Sequence, residues 1–209
     1  YTTSSDLSSC CGKSLVSLMQ IGFPALAAHL KNSQNGLRSL YTLHGDEALL
    51  QLEGADSIRA AARAGGYSER SSFTVQGAHF DWAEVLNAGQ SMGLFGDKQI
   101  IEIRIPTGKP GKEGSAALQQ IAQMTSGSDA VLTIVTLPRL DKATQSSAWF
   151  AALDSFGVTL RVDPVERAQL PAWIAQRLQD LVADRLVLLA DRLLLLPCDG
   201  FDLVERHRS

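Results

Sequence analysis

The sequence has few of the residues that build metal centres, disulfide frameworks and membrane spans. Three of its 209 residues are cysteines, Cys10, Cys11 and Cys198, and their positions match neither zinc-ligand spacing nor a disulfide framework. The four histidines show no His-x-x-x-His spacing. No apolar run approaches the ~18 residues of a membrane helix, and no basic segment followed by an apolar core opens the sequence. The sequence therefore predicts a cytoplasmic protein without membrane contact.

The sequence also has no excess of positive charge. It contains 19 lysines and arginines against 22 acidic residues, which gives a formal net charge of -3. Because nucleic-acid affinity depends largely on basic groups that neutralise phosphates, this balance argues against DNA binding by the chain alone. A place in a DNA-handling assembly, in which other subunits supply the basic surface, stays open.

Strand-like and helix-like segments alternate between residues 37 and 162. Short apolar runs predict strands, and longer stretches with apolar residues at helical spacing predict helices. Such alternation is typical of parallel strands joined by helical crossovers, so it predicts an α/β domain with a mostly parallel sheet flanked by helices. The predicted strands are 37–43, 71–75, 98–105, 131–135 and 158–162, and the predicted helices are 47–64, 82–90, 116–124 and 140–153.

Changes of composition predict three parts of the chain. Residues 1–18 are rich in Ser and Thr and predict a poorly ordered leader. After Pro164 no convincing strand follows, and Leu-rich helical segments extend to Arg208. We therefore predict a leader followed by an α/β domain at 19–164 and a small helical part at 165–209.

Two further segments belong to the predicted α/β domain. After Met19, apolar residues at helical spacing predict a helix that has Pro24 in its first turn and is stopped by Asn35 and Gly36. Residues 106–114 hold three glycines, two prolines and two lysines, which predicts a mobile, solvated loop rather than an anion site.

The turn after the first predicted strand has none of the groups that hold a nucleoside triphosphate. In nucleotide-binding α/β domains this turn is glycine-rich and carries a lysine that neutralises phosphate charge. Residues 44–47 instead read His-Gly-Asp-Glu. The strand that begins at Val131 leads into Leu-Pro-Arg at 137–139, where an ATPase carries acidic magnesium ligands. Both parts of the ATP machinery are missing from the sequence.

His44 and Asp46 allow two interpretations. They could form an acid/base pair at the carboxyl edge of the sheet, or Asp46 could cap the following helix beside a surface His44, which we favour. No Gly-x-Ser-x-Gly elbow occurs elsewhere. We therefore expect no catalytic residue, cofactor or metal site of the chain's own.

Residues 91–97, Ser-Met-Gly-Leu-Phe-Gly-Asp, place large apolar side chains between two glycines. Glycine permits the backbone angles of a turn, so this segment should join a helix to a strand. Leu94 and Phe95, with Met92 beside them, could be buried core or exposed anchors for a partner's pocket. Because other segments supply a core for the sheet and no catalytic site is found, we favour exposed anchors.

Four stretches of the sequence together resemble one known family. They read Tyr-Thr-Leu-His-Gly-Asp-Glu-Ala-Leu-Leu-Gln at 41–51, Ser-Met-Gly-Leu-Phe-Gly-Asp-Lys-Gln at 91–99, Trp-Phe at 149–150 and Gln-Leu-Pro-Ala-Trp-Ile at 169–174. In this order and at this spacing they resemble the delta-subunit family of bacterial DNA polymerase III clamp loaders. The resemblance extends over roughly residues 19–180 and is carried by the stretches jointly.

This resemblance implies an AAA+-like α/β domain, at 19–164, that has lost its nucleotide site. It also implies that 165–209 is part of a helical lid domain, which family members continue with a collar that joins the other loader subunits. The family opens the ring-shaped sliding clamp for loading onto primed DNA, while partner subunits hydrolyse ATP. Its clamp-binding element is an exposed Met-x-Leu-Phe turn, which corresponds here to Met92, Leu94 and Phe95.

The sequence departs from the family pattern at both ends. Residues 1–18 match no part of it, the Leu-rich tail after about residue 180 loses it, and we expect no collar domain within these 209 residues. The expected partners are the sliding clamp and other loader subunits, with primed DNA contacted only through the complex. Two alternatives stay open, a nucleotide-binding α/β enzyme with an unrecognised site and an α/β interaction module unconnected with replication.

Overall fold

The computed structural model of the chain divides into two units after Pro164. The first unit contains a sheet with its helices, and in the second a helix, α7, covers residues 170–179. The leader at 1–18, the turn at 91–97 and most of the tail after 179 lie outside the described residues, so the predictions for them stay predictions. The described residues are 19–32, 37–77, 80–90, 98–125, 129–179 and 182.

In the described part of the chain, six strands form a single parallel sheet. The strand order is β1-β6-β2-β5-β4-β3, and each neighbouring pair is parallel. This confirms the predicted mostly parallel sheet and adds one strand to the five predicted. The strands are β1 (Met19–Gly22), β2 (Leu40–Gly45), β3 (Tyr67–Thr74), β4 (Lys98–Arg104), β5 (Val131–Pro138) and β6 (Val158–Val162).

Helices cover both faces of the sheet. The face under α3, α4 and α6 holds the larger hydrophobic core, in which Trp82, Leu118 and Phe150 are buried. On the opposite face α2 packs so closely that a Cβ atom on Gly54 would lie 3.1 Å from Leu160. The helices are α1 (Leu26–Lys31), α2 (Ala48–Ala64), α3 (Trp82–Gln90), α4 (Gly111–Thr125), α5 (Lys142–Gln145) and α6 (Ala148–Phe156).

The segment from Met19 to Gly22, for which no strand was predicted, is the edge strand β1. It pairs with β6, and the Gln20 amide donates a hydrogen bond of 3.0 Å to the buried carboxylate of Asp154. Helical geometry begins only at Phe23, with a short 3-10 turn that leads into α1. The sequence analysis missed this strand because a four-residue strand depends on a distant partner rather than on local spacing.

The loop predicted at 106–114 is shorter than expected, since it covers 106–110 and α4 already begins at Gly111. A Cβ atom at Gly114 would lie 2.5 Å from the ring of Trp82, so this glycine permits close packing of α4 on α3 instead of breaking the helix. The predicted helix at 140–153 is two helices. Asp141 caps α5 by accepting a 3.0 Å hydrogen bond from the Thr144 amide, and α6 starts after Ser147.

A close contact between the ends of β2 and β6 shapes the carboxyl edge of the sheet. A Cβ atom on Gly45 would lie 1.8 Å from the carbonyl oxygen of Val162, which no side chain tolerates. The Asp46 amide donates a 3.3 Å hydrogen bond to the same oxygen. The chain therefore leaves β2 tightly against β6.

Replacing Gly45 with alanine should lower the free energy of unfolding by about 3 kcal/mol or more, because backbone atoms would have to move. Chemical denaturation measures the change. Gly22→Ala is the matched control, since its Cβ would lie 3.7 Å from Pro24, an ordinary contact, and its effect should stay within about 1 kcal/mol. Equal stability of Gly45→Ala and the control would show that the contact is not tight.

Candidate functional site

The loops of a parallel sheet lie at the carboxyl and the amino edges of its strands, and the two edges differ in structure here. In open α/β sheets ligands bind beyond the carboxyl ends of the strands. The β2–α2 turn lies at that edge. The residues that flank the turn at 91–97, Gln90 at the end of α3 and Lys98 at the start of β4, belong to the opposite, amino edge.

The β2–α2 turn is too short to wrap around a phosphate group. Only Asp46 and Glu47 separate the end of β2 from the start of α2. The carboxylate of Asp46 forms a 2.7 Å ion pair with Arg139, which follows β5. The two positions that would carry phosphate and magnesium ligands in an ATPase are therefore paired with each other.

Gln51 ties the carboxyl ends of β2 and β5 together. Its side-chain amide donates hydrogen bonds of 3.0 Å to the carbonyl oxygens of Gly45 and Leu137. This glutamine lies in the first turn of α2 and was not singled out in the sequence. A polar residue close in sequence to the end of β2 was a usable signal. Its second partner, the Leu137 carbonyl, is distant in sequence and leaves no local pattern.

His44 is buried rather than exposed, which corrects the favoured interpretation of a surface histidine beside a capping Asp46. Its ring packs edge-on against Phe150, with 5.5 Å between the ring centres. Burial lowers the pKa of His44 below its ordinary value of 6.5, and the charge of Arg161 lowers it further, against the opposing effect of nearby carboxylates. Asp46 contacts Arg139, and α2 begins without a side-chain cap. The acid/base pair finds no support in these contacts.

The predicted anchors Met92, Leu94 and Phe95 all lie outside the described residues. Lys98, the first described residue after them, makes two contacts. Lys98 extends its ammonium group to within 3.3 Å of the Gly65 carbonyl oxygen and lies 5.2 Å above the ring of Tyr67. The first residue of β4 therefore has two contacts with residues at the junction of α2 and β3.

Gln99, the next residue of β4, links that strand to the end of α3. Its side-chain amide donates a hydrogen bond to the carbonyl oxygen of Ala88, and only 8% of the residue is exposed. Gln99 shares a sheet face with Ile101 and Ile103, both in the core. The sequence reasoning missed it, although a polar residue on an otherwise apolar strand face was a usable signal.

A cavity of about 50 Å³ lies between α3 and α4, above β4 and β5. It has one polar feature of note, the hydroxyl of Thr133, which is buried and has no hydrogen-bond partner among the described residues. The last turn of α3 thus packs over incompletely filled space. Lining residues include Val85, Leu86, Gly89, Ile101, Met124 and Thr133.

The described residues contain neither a metal-binding cluster nor a membrane-spanning helix. They bring no three His, Cys, Asp or Glu side chains together in a group that could hold a metal ion. Within the same ranges, none of the helices has the length and apolar character needed to cross a membrane.

Comparison with known proteins relates the chain to one family. A family model described as DNA polymerase III, delta subunit, matches residues 41–162. The chain is 34% identical to the DNA polymerase III subunit delta of Escherichia coli (strain K12) over 147 residues, which are 70% of this chain and 42% of that protein. The corresponding subunit of Haemophilus influenzae (strain ATCC 51907 / DSM 11121 / KW20 / Rd) is 30% identical over 149 residues, 68% of this chain and 41% of that protein.

A solved structure shows the same fold. The Bacillus subtilis DNA clamp loader delta protein (YqeN) aligns with a TM-score of 0.54 at 15% identity, over 69% of this chain and 43% of that chain. The family model and the two relatives confirm the resemblance found in the sequence, and this structure confirms the predicted α/β fold. The chain spans less than half the length of the two relatives.

The lowered pKa of His44 predicts a pH dependence of stability. Between that lowered pKa and the ordinary value of 6.5, the unfolded chain binds a proton at His44 that the folded chain does not. The free energy of unfolding should therefore fall as the pH drops below about 6.5 and gain nothing from this group above it. Urea titrations at several pH values measure this slope.

The variant His44→Phe keeps an aromatic ring against Phe150 and removes the titration, so its slope below about pH 6.5 should be shallower than that of the wild type. His29→Phe is the control for the remaining histidine with a lowered pKa among the described residues, since it leaves the contribution of His44 in place. Identical slopes for His44→Phe and wild type would contradict the assignment.

Proposed function

The chain belongs to the DNA polymerase III delta subunit family, and from this membership we propose that it is a clamp-loader subunit of a bacterial replicative polymerase. In the cytoplasm it binds the sliding clamp and opens it for loading onto primed DNA. The observation that carries the proposal is the family match over residues 41–162, which spans most of the α/β unit and includes the turn at 91–97. Residues 165–209 would belong to a helical lid domain.

The clamp-binding residues in this proposal are Met92, Leu94 and Phe95. Leu94 and Phe95 insert into a hydrophobic pocket of the clamp, with Met92 as a supporting contact. Burying Leu94 and Phe95 supplies on the order of 3–6 kcal/mol before ordering costs. The described core supports this role, because α3, α4 and α6 cover one sheet face with their own apolar side chains.

Ring opening in this account is a shift of an equilibrium. A subunit that binds the open ring more tightly than the closed ring increases the open population by its difference in affinity. No covalent step in this chain is required. The work of the subunit is mechanical, and its timing depends on when partner subunits allow the turn to reach the clamp.

We assign ATP hydrolysis to those partner subunits and no cofactor to this chain. Support comes from the carboxyl edge, where a two-residue turn replaces a phosphate loop and Arg139 pairs with Asp46. Gln51 fills the space between the ends of β2 and β5 by bonding to both. The net charge of -3 supports DNA contact only through the hetero-oligomeric complex.

The double variant Leu94→Ala/Phe95→Ala should weaken binding to a purified sliding clamp from the same organism by about 100-fold or more, since central apolar anchors dominate such interfaces. Surface plasmon resonance measures the Kd. The matched control is Leu49→Ala/Leu52→Ala on α2, which removes apolar side chains that are 52% and 46% exposed and should leave the Kd unchanged. Wild-type affinity in the first variant would refute the anchor assignment.

Titration with ATP and magnesium should give no binding at concentrations at which ATPases saturate, because the carboxyl edge offers paired charges in place of phosphate ligands. Isothermal calorimetry on the whole chain tests this. Micromolar affinity for ATP would instead support a nucleotide-binding enzyme.

A further inference from the structure

We infer that Gln99 is a positioning residue for clamp binding: it fixes the distance between the two ends of the segment that carries the anchors. This inference rests on the proposed function, because it matters only if Met92, Leu94 and Phe95 bind the clamp. Gln99 itself lies seven residues beyond Met92 and needs no contact with the clamp.

The first observation is the hydrogen bond from the Gln99 side chain to Ala88. Ala88 belongs to the last turn of α3, which ends at Gln90. The last four carbonyl groups of a helix lack partners within the helix. Gln99 satisfies one of them from the neighbouring strand, so it acts as a C-terminal cap supplied from a distance.

The second observation is that the sheet holds the backbone of Gln99 independently of this bond. Its backbone amide donates a 2.9 Å hydrogen bond to the carbonyl oxygen of Ala130. In the parallel ladders it lies beside Val131 of β5 and Glu69 of β3. The side-chain donor therefore projects from a fixed point, and α3 is positioned against the strand rather than the reverse.

The third observation is that the end of α3 lies beside a cavity. Gly89 favours the helix less than any ordinary residue and faces the cavity between α3 and α4. Packing contacts are lost where a helix covers unfilled space. The polar contact from Gln99 consequently contributes more to the position of this turn than it would in a tightly packed helix.

These contacts reduce the ordering cost of binding. The hydrogen bond from Gln99 to Ala88 closes a loop that contains the ten residues between them. Both ends of the segment are therefore held together in the free chain, without the clamp. Preorganisation of this kind raises affinity by cutting the entropy lost on association. A purely structural hydrogen bond would change stability without changing clamp affinity.

The test compares Gln99→Met with Gln51→Met in the full chain. Both variants remove a side-chain amide that donates to backbone carbonyls, one at the amino edge and one at the carboxyl edge. Binding to the sliding clamp is measured at a temperature at which thermal melting shows both to be folded. Gln99→Met should weaken binding about fivefold, whereas Gln51→Met should leave the Kd unchanged.

Gly89→Ala provides a second variant that does not depend on disrupting the fold. A Cβ atom there would lie 3.7 Å from Ile101, an ordinary contact, and alanine favours the helix. It should tighten clamp binding about twofold and restore part of the affinity lost in Gln99→Met. No effect in either background would overturn the inference.

The remaining outcomes separate this inference from the proposed function. If wild type does not bind the clamp, the proposed function fails. If wild type binds and Leu94→Ala/Phe95→Ala does not, but Gln99→Met binds as wild type does, only the inference fails. Equal losses in Gln99→Met and Gln51→Met would make the role of Gln99 structural and would also overturn it.

Discussion

Parallel pairing of the six described strands is the constraint on which the rest of this structure depends. Each strand is joined to the next by a crossover that runs from the carboxyl end of one strand to the amino end of another. The crossover helices therefore lie on the faces of the sheet, and the loops lie at its carboxyl and amino edges. The carboxyl edge is drawn together by the contact of Gly45 with Val162 and by the two hydrogen bonds of Gln51. The residues that flank 91–97, Gln90 and Lys98, lie at the amino edge.

At both edges a glutamine side chain donates hydrogen bonds to backbone carbonyl oxygens, and the structural consequences differ. At the carboxyl edge, where open α/β sheets bind ligands, Gln51 bonds to the ends of two strands. At the amino edge, Gln99 bonds to the end of a helix and ties together the flanks of the proposed clamp-binding turn. A domain with the architecture of a nucleotide-binding fold can in this way serve as a rigid holder for a short apolar element.

Local sequence patterns predicted the elements whose bounds do not depend on distant contacts. The helix Trp82–Gln90 and the strand Val158–Val162 have the predicted bounds, because their apolar residues follow the helical and strand periods. The strand Met19–Gly22 and the start of α4 were missed, since a distant ladder and the ring of Trp82 determine them. At the candidate site, neither the burial of His44 nor the carbonyl partner of Gln99 has a sequence signal, because both depend on tertiary contacts.

The central claim is that the clamp is bound at the amino edge, through residues 91–97, and not at the carboxyl edge. Amide hydrogen exchange with and without a purified sliding clamp tests it most directly, because exchange reports protection residue by residue. The account predicts slower exchange within 91–97 and unchanged exchange at 44–47. Protection at 44–47 with none at 91–97 would contradict it.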